Sequence, residues 1–125
     1  MRKYLYRGMR KDNSEWVYGF LIIHHSKTYI CFDKVVDISG GVLEQVEVIP
    51  ETVSKYIGID DRNGNMIWEN SVVLYQEEYG RIAYHEDEAM FMVEFDTWMT
   101  DFDHLYGKEL EVVGHVFENS WLLER

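Results

Sequence analysis

One cysteine, one proline and no apolar run beyond a few residues set the first limits on this 125-residue chain. A lone Cys31 allows neither an intramolecular disulfide nor a Cys-based metal cage. It sits in Tyr29-Ile-Cys-Phe32, where a buried and inert thiol is the expectation. Without a long apolar run nothing in the sequence is built to span a membrane. The opening Met1-Arg-Lys-Tyr4 lacks the apolar stretch of a signal peptide, so the chain reads as cytosolic. Basic residues also run short. Arg2, Lys3, Arg7, Arg10 and Lys11 crowd the first eleven positions, whereas Glu77 to Asp103 holds nine acids against Arg81 alone. The formal net charge is −11, which disfavours direct nucleic-acid binding, because that relies on Lys and Arg displacing phosphate counterions.

What the chain has in quantity is β-forming residues. Aromatics make up 15% of it, and broad or branched side chains pack well on a pleated surface. Lys3–Arg7, Trp16–His24 and Thr28–Phe32 read as three strands of an N-terminal antiparallel meander, with Gly8 as a bend and Gly19 as a close backbone approach. Asp37–Gly41 reads as a loop, and the stretch through Val42, Val46 and Val48 as an edge strand facing water. Pro50–Lys55 has the proline and first-turn acid of a single helical turn. Between Tyr56–Ile59 and Met66–Trp68, the turn around Asp60, Asn63 and Gly64 carries a hairpin signal, since Asn-Gly tolerates positive φ.

From Val72 onward, Val72–Tyr75, Arg81–Tyr84, Met90–Phe95 and Glu109–Phe117 read as short strands. Gln76–Gly80 falls between them as a loop, His85–Glu88 as a charged turn, and Asp96–Asp103 as a loop or distorted strand. Glu118–Leu123 reads as a final helical turn capped by Asn119 or Ser120. The expected fold is mainly β: an N-terminal meander (1–55) packed on a small SH3-like barrel (56–125), sharing one core, with one or two short helical turns.

The spacing of several blocks resembles the YopX-like proteins of phages and prophages. They are Tyr6-Arg-Gly8, Lys11–Gly19, Val48-Ile-Pro-Glu-Thr-Val53, Tyr56–Gly64 with Ile67-Trp-Glu69, and Glu111–Asn119 with Leu122-Leu123. The resemblance implies a mostly β fold, homo-oligomers, work in the host bacterial cytoplasm, and no catalytic residues to carry over. Three positions depart from the pattern this resemblance implies. Asn70-Ser71 follows Glu69 where the family commonly has Gly-Asp, and His115 stands where Asn is frequent.

His24, His25, His85, His104 and His115 show no zinc spacing, and adjacent strand residues such as His24 and His25 point to opposite faces. His85 with Glu86, Asp87 and Glu88 could hold a cation, but a solvated turn explains them better. Asp60, Asp61, Asn63 and Gly64 lack the bidentate glutamate of a calcium loop. Trp16, Trp68, Trp98 and Trp121 are expected in cores or interfaces rather than as stacking platforms, with Trp98 and Phe102 partly exposed.

The leading expectation is an interaction face of Glu86, Asp87, Glu88, Asp96, Trp98, Asp101, Phe102 and Asp103, where charge rims aromatic anchors. It would serve copies of the chain or a host or phage protein, with no cofactor. The alternatives are mimicry of nucleic acid against a host DNA-binding protein, and a metal-dependent hydrolase at Asp101, Asp103 and His104.

Overall fold

The computed structural model of the chain describes residues 5–37, 40–102, 105 and 107–124, and the side chains of all of these but 33–37 and 40–42. Lys3 and Tyr4 of the expected first strand, part of the expected loop at Ile38 and Ser39, and the candidate residues Asp103 and His104 lie outside them. The chain forms two compact units, Met1–Lys55 and Tyr56–Arg125.

The strands are β1 (Tyr6–Met9), β2 (Trp16–His24), β3 (Lys27–Asp37), β4 (Gly40–Glu47), β5 (Ser54–Asp60), β6 (Met66–Trp68), β7 (Ser71–Tyr75), β8 (Glu78–His85), β9 (Met90–Glu94), β10 (Met99–Asp101) and β11 (Glu111–His115). A short helix α1 (Val116–Asn119) runs into a 3₁₀ turn at Ser120–Glu124, and further 3₁₀ turns stand at Pro50–Thr52 and Gly107–Glu109. All strand pairs are antiparallel, in a six-stranded order β4-β3-β2-β1-β5-β6 and a five-stranded order β10-β9-β8-β7-β11.

In the first unit the meander forms as its β-branched and aromatic content suggests. Its third strand is longer than Thr28–Phe32 and runs on to Asp37, and the fourth begins at Gly40, so the loop is narrower than Asp37–Gly41. β4 is an edge strand. Buried Ile30 and Val48 belong to this unit's interior, and Cys31 is buried as a free thiol. Thr52, wholly buried, accepts from Met9 N–H at 2.8 Å and so ties the 3₁₀ turn back to β1. Gly19 is where two backbones meet: a Cβ there would overlap the Cys31 carbonyl oxygen across the ladder.

In the second unit Ile67, Val73, Ile82, Val93, Phe95, Leu105 and Leu110 form the core, with Phe102 packed partly buried against it. The hairpin from β5 to β6 is present, but its turn differs from a two-residue Asn-Gly connection. Five residues separate the strands, and of Asn63 and Gly64 only Gly64 is left-handed, at φ 80°. Gly64 N–H closes onto Asp61 C=O at 3.1 Å, and the buried Asp61 carboxylate organises the rest. Its Oδ1 accepts from Asn63 and Asn65 N–H (2.9 and 2.8 Å), and its Oδ2 from Val112 N–H of β11 (2.8 Å).

The two-residue turns lie elsewhere, at His25-Ser26 (φ 49° and 64°) and Gln76-Glu77 (φ 46° and 70°). The second makes Glu78–Gly80 part of β8, where the sequence suggested a loop. Among the described residues no ladder joins β10 to β11, so the sheet is open and not a closed barrel. β10 is only three residues long and pairs on one side, with β9. The C-terminal helix starts at Val116, earlier than Glu118, with His115 rather than Asn119 or Ser120 as its cap.

Gly19→Ala should lower the stability of the chain by at least about 2 kcal/mol, since main chain cannot yield as a flexible side chain would. Asp61→Ala should cost a similar ~2 kcal/mol or more, because it strands three amide donors around a buried site. Asp61→Asn should cost less. Urea unfolding of the three variants measures both differences.

Candidate functional site

Directly paired residues of an antiparallel ladder point to the same face, so the register sorts the side chains of the second unit. One face of β8, β9 and β10 carries the row Arg81, Glu94, Met99, the row Ala83, Met92, Asp101, and the pair His85, Met90. The other face carries core residues Ile82 and Val93.

On the first face Glu94 is the electrostatic hub. Its Oε1 accepts from Arg81 Nε at 2.9 Å and its Oε2 from His85 Nε2 at 2.5 Å, while His85 Nδ1 lies 3.8 Å from Glu88. Desolvation pushes the Glu94 carboxyl up, but hydrogen bonds and charge from Arg81 and His85 outweigh it and hold the group below its ordinary range.

A cleft of about 710 Å³ opens beside this network, lined by residues of β8 and β9, by Glu77 and Asp96 in the turns before and after them, and by Leu122 and Leu123 of the C-terminal 3₁₀ turn. Trp98 adjoins it: its Nε1 donates to Glu78 at 2.9 Å, and its ring stacks on Phe95 with centroids 4.5 Å apart and planes 12° apart. Tyr75 meets both rings at an angle, so three aromatics form one cluster.

A second cavity of about 860 Å³ lies by the hairpin, bordered by Ile59, Asp60, Asp61, Phe102 and Gly107 among others. Its carboxylates are already engaged. Asp61 serves backbone amides, and Asp60 accepts from Tyr56 O–H at 2.7 Å. Burial first, then that hydrogen bond and the Asp60 charge, push the Tyr56 phenol up to about 12. Among the described residues no group of three or more His, Cys, Asp or Glu is placed to hold a metal ion.

The residues expected to share one interaction face are spread over the unit. Glu86, Asp87 and Glu88 form the turn after β8, whereas Asp96 and Trp98 stand in the turn after β9, at the opposite end of the sheet. Seven residue steps of β8 separate the two ends by roughly 23 Å at the usual strand rise. Asp101 lies between them on β10, half-buried, and Phe102 is packed on the core. Trp98 is 41% exposed, and Trp121 is exposed as well, while Trp68 is buried. Glu77 and Glu78 belong to the acidic segment Glu77–Asp103 expected to form the face, but their placement was not legible. Reading Gln76–Gly80 as a loop hid the tight turn that brings them beside Asp96. His24 and His25 do not diverge either: His25 leaves the strand for the turn, and the two rings meet edge-on at 3.9 Å.

Residues 5–124 match the family described as YopX protein. The chain belongs to the YopX protein family. No protein of curated function matches it. Asn70 adopts the left-handed backbone a glycine would supply, at φ 65°, and Ser71 Oγ accepts from Trp68 N–H at 3.0 Å. His115 Nδ1 accepts from Phe117 N–H at 2.8 Å, so it performs the acceptor role of an asparagine N-cap in this YopX-family chain.

The network also sets a pH response. A carboxyl whose folded pKa is depressed contributes stability that is complete above its unfolded value, about 4.3 for glutamate, and is lost as pH falls through the folded value. Melting temperature measured from pH 6 to pH 3 should therefore fall less steeply below ~4.3 in Glu94→Gln than in the parent, which starts more stable.

Proposed function

We propose that this YopX-family chain is a phage or prophage accessory protein that works by protein contact, including contact with its own copies, and performs no chemistry itself. It would act in the cytoplasm of the bacterial host, without a cofactor.

The observation that carries this reading is an apolar face on the first unit. Phe20, Cys31 and Gln45 are register partners across β2, β3 and β4, so Tyr18 and Leu43, each two residues along, share their side of the sheet. Phe20 is 65% exposed, Leu43 72% and Tyr18 48%. Grouped exposed apolar side chains of this size mark contact surfaces, whereas scattered ones do not. β4 is also an edge, whose unpaired backbone groups favour association.

The groups whose ionisation shifts pair with neighbouring side chains: Asp12 with Arg10 on the surface, Tyr56 with Asp60, and Glu94 with Arg81 and His85. Imitation of nucleic acid would require carboxylates in rows at phosphate-like spacing. Their grouping at the two ends of β8 favours ordinary protein contact instead. In the second unit an SH3-like reading is supported by connectivity: β7 to β10 form a meander, and after the 3₁₀ turn at Gly107–Glu109 strand β11 returns to pair with β7.

Light scattering at low and high salt should give a discrete oligomer that survives high salt, since apolar contact is not screened. Phe20→Ser with Leu43→Ser should weaken it at least about tenfold, ~1.4 kcal/mol, with unfolding little changed. A monomer at all concentrations would overturn the self-contact reading.

A further inference from the structure

We propose that the cleft bounded by the β7–β8 turn, the β9–β10 turn and the C-terminal 3₁₀ turn docks an extended, lysine- or arginine-bearing segment of a partner protein. This deepens the protein-contact reading and rests on it, but uses a different surface from the apolar face of the first unit.

Charge complementarity selects the occupant. The second unit has sixteen acidic residues against four basic ones, whereas the first has seven against eight. Within the cleft, Arg81 and Glu94 cancel each other. Glu78 receives only the neutral indole N–H of Trp98, and Glu77 and Asp96 have no side-chain partner among the described residues. Three carboxylates thus remain uncompensated around one opening, which repels phosphate and attracts ammonium or guanidinium groups.

The apolar parts suit the same guest. Leu122, Leu123 and Phe95 give the aliphatic stem of a lysine or arginine a surface to lie on. Trp98, held in place by Phe95 and by Glu78, offers an exposed indole beside the carboxylates, and a cation within about 6 Å of such a ring gains further attraction. A volume of about 710 Å³ accommodates several residues of extended peptide rather than a single small ion.

The test is fluorescence anisotropy of a labelled ten-residue peptide alternating Lys and Ala, added to the full chain, with a Glu-Ala peptide as control. Binding is expected for the Lys peptide alone, weakening at least tenfold between about 50 and 500 mM salt. Glu77→Gln with Asp96→Asn, both exposed and so compatible with folding, should weaken it at least fivefold, and Trp98→Ala should weaken it too. Glu86→Gln with Asp87→Asn and Glu88→Gln, at the far end of β8, should leave it nearly unchanged. Equal losses from the two acid groups would show a diffuse field and overturn the cleft, as would no binding of the Lys peptide at millimolar concentration. Dissociation of the oligomer by Glu77→Gln with Asp96→Asn would overturn it in favour of a second copy as the occupant. A monomeric protein that still binds the peptide would remove the self-contact reading and leave the cleft standing.

Discussion

A single buried carboxylate sets the shape of the second unit. Asp61 accepts three backbone N–H groups, two from the turn it begins and one from Val112 in β11, fifty-one residues later. Hydrogen bonds to an ionised acceptor are about twice as strong as neutral ones, and amides left unpaired in a dry site cost their full desolvation. The hairpin from β5 to β6 and the last strand of the five-stranded sheet are therefore fixed by one group. Arg62 reinforces the same junction twice, through its N–H to Leu110 C=O and through its side chain to Glu111. Gly107, buried beside Ile59 and Asp60 with no room for a Cβ, shows how closely the connection to β11 is drawn against the hairpin.

The strands were legible in the sequence because their signal is distributed over many residues. Trp16–His24 is read to the residue, and the close approach at Gly19 follows from a glycine inside an otherwise β-rich run. Turn type was not legible, for a local reason. Asn63-Gly64 carries the composition of a two-residue turn, yet the capping demand of Asp61 opens it to five residues. His25-Ser26 and Gln76-Glu77 have no glycine and still take up two left-handed conformations each. A left-handed non-glycine residue costs on the order of 1 kcal/mol. The ladders on both sides, from His24 opposite Lys27 and from Tyr75 opposite Glu78, offset that cost. Tertiary pairing thus decided turns that local propensity would have placed elsewhere.

The candidate site was legible in composition but not in arrangement. Reading Glu86 to Asp103 as one acidic face groups residues by their order along the chain. A meander instead sorts turns by parity: the turns after β7 and β9 lie at one end of the sheet and the turn after β8 at the other. Glu77 and Glu78 consequently join Asp96 and Trp98, while Glu86, Asp87 and Glu88 are carried away. Phe102 stays partly exposed, as expected, but its buried side packs against the core of Leu105 and Leu110, where an aromatic gains from burial.

Asn70, Ser71 and His115 show how polar side chains are spent on the main chain in this fold. Asn70 takes a left-handed backbone, Ser71 Oγ accepts from the Trp68 amide, and His115 Nδ1 accepts from Phe117 N–H at a helix start. What these three residues supply is backbone geometry at a turn and at a helix start.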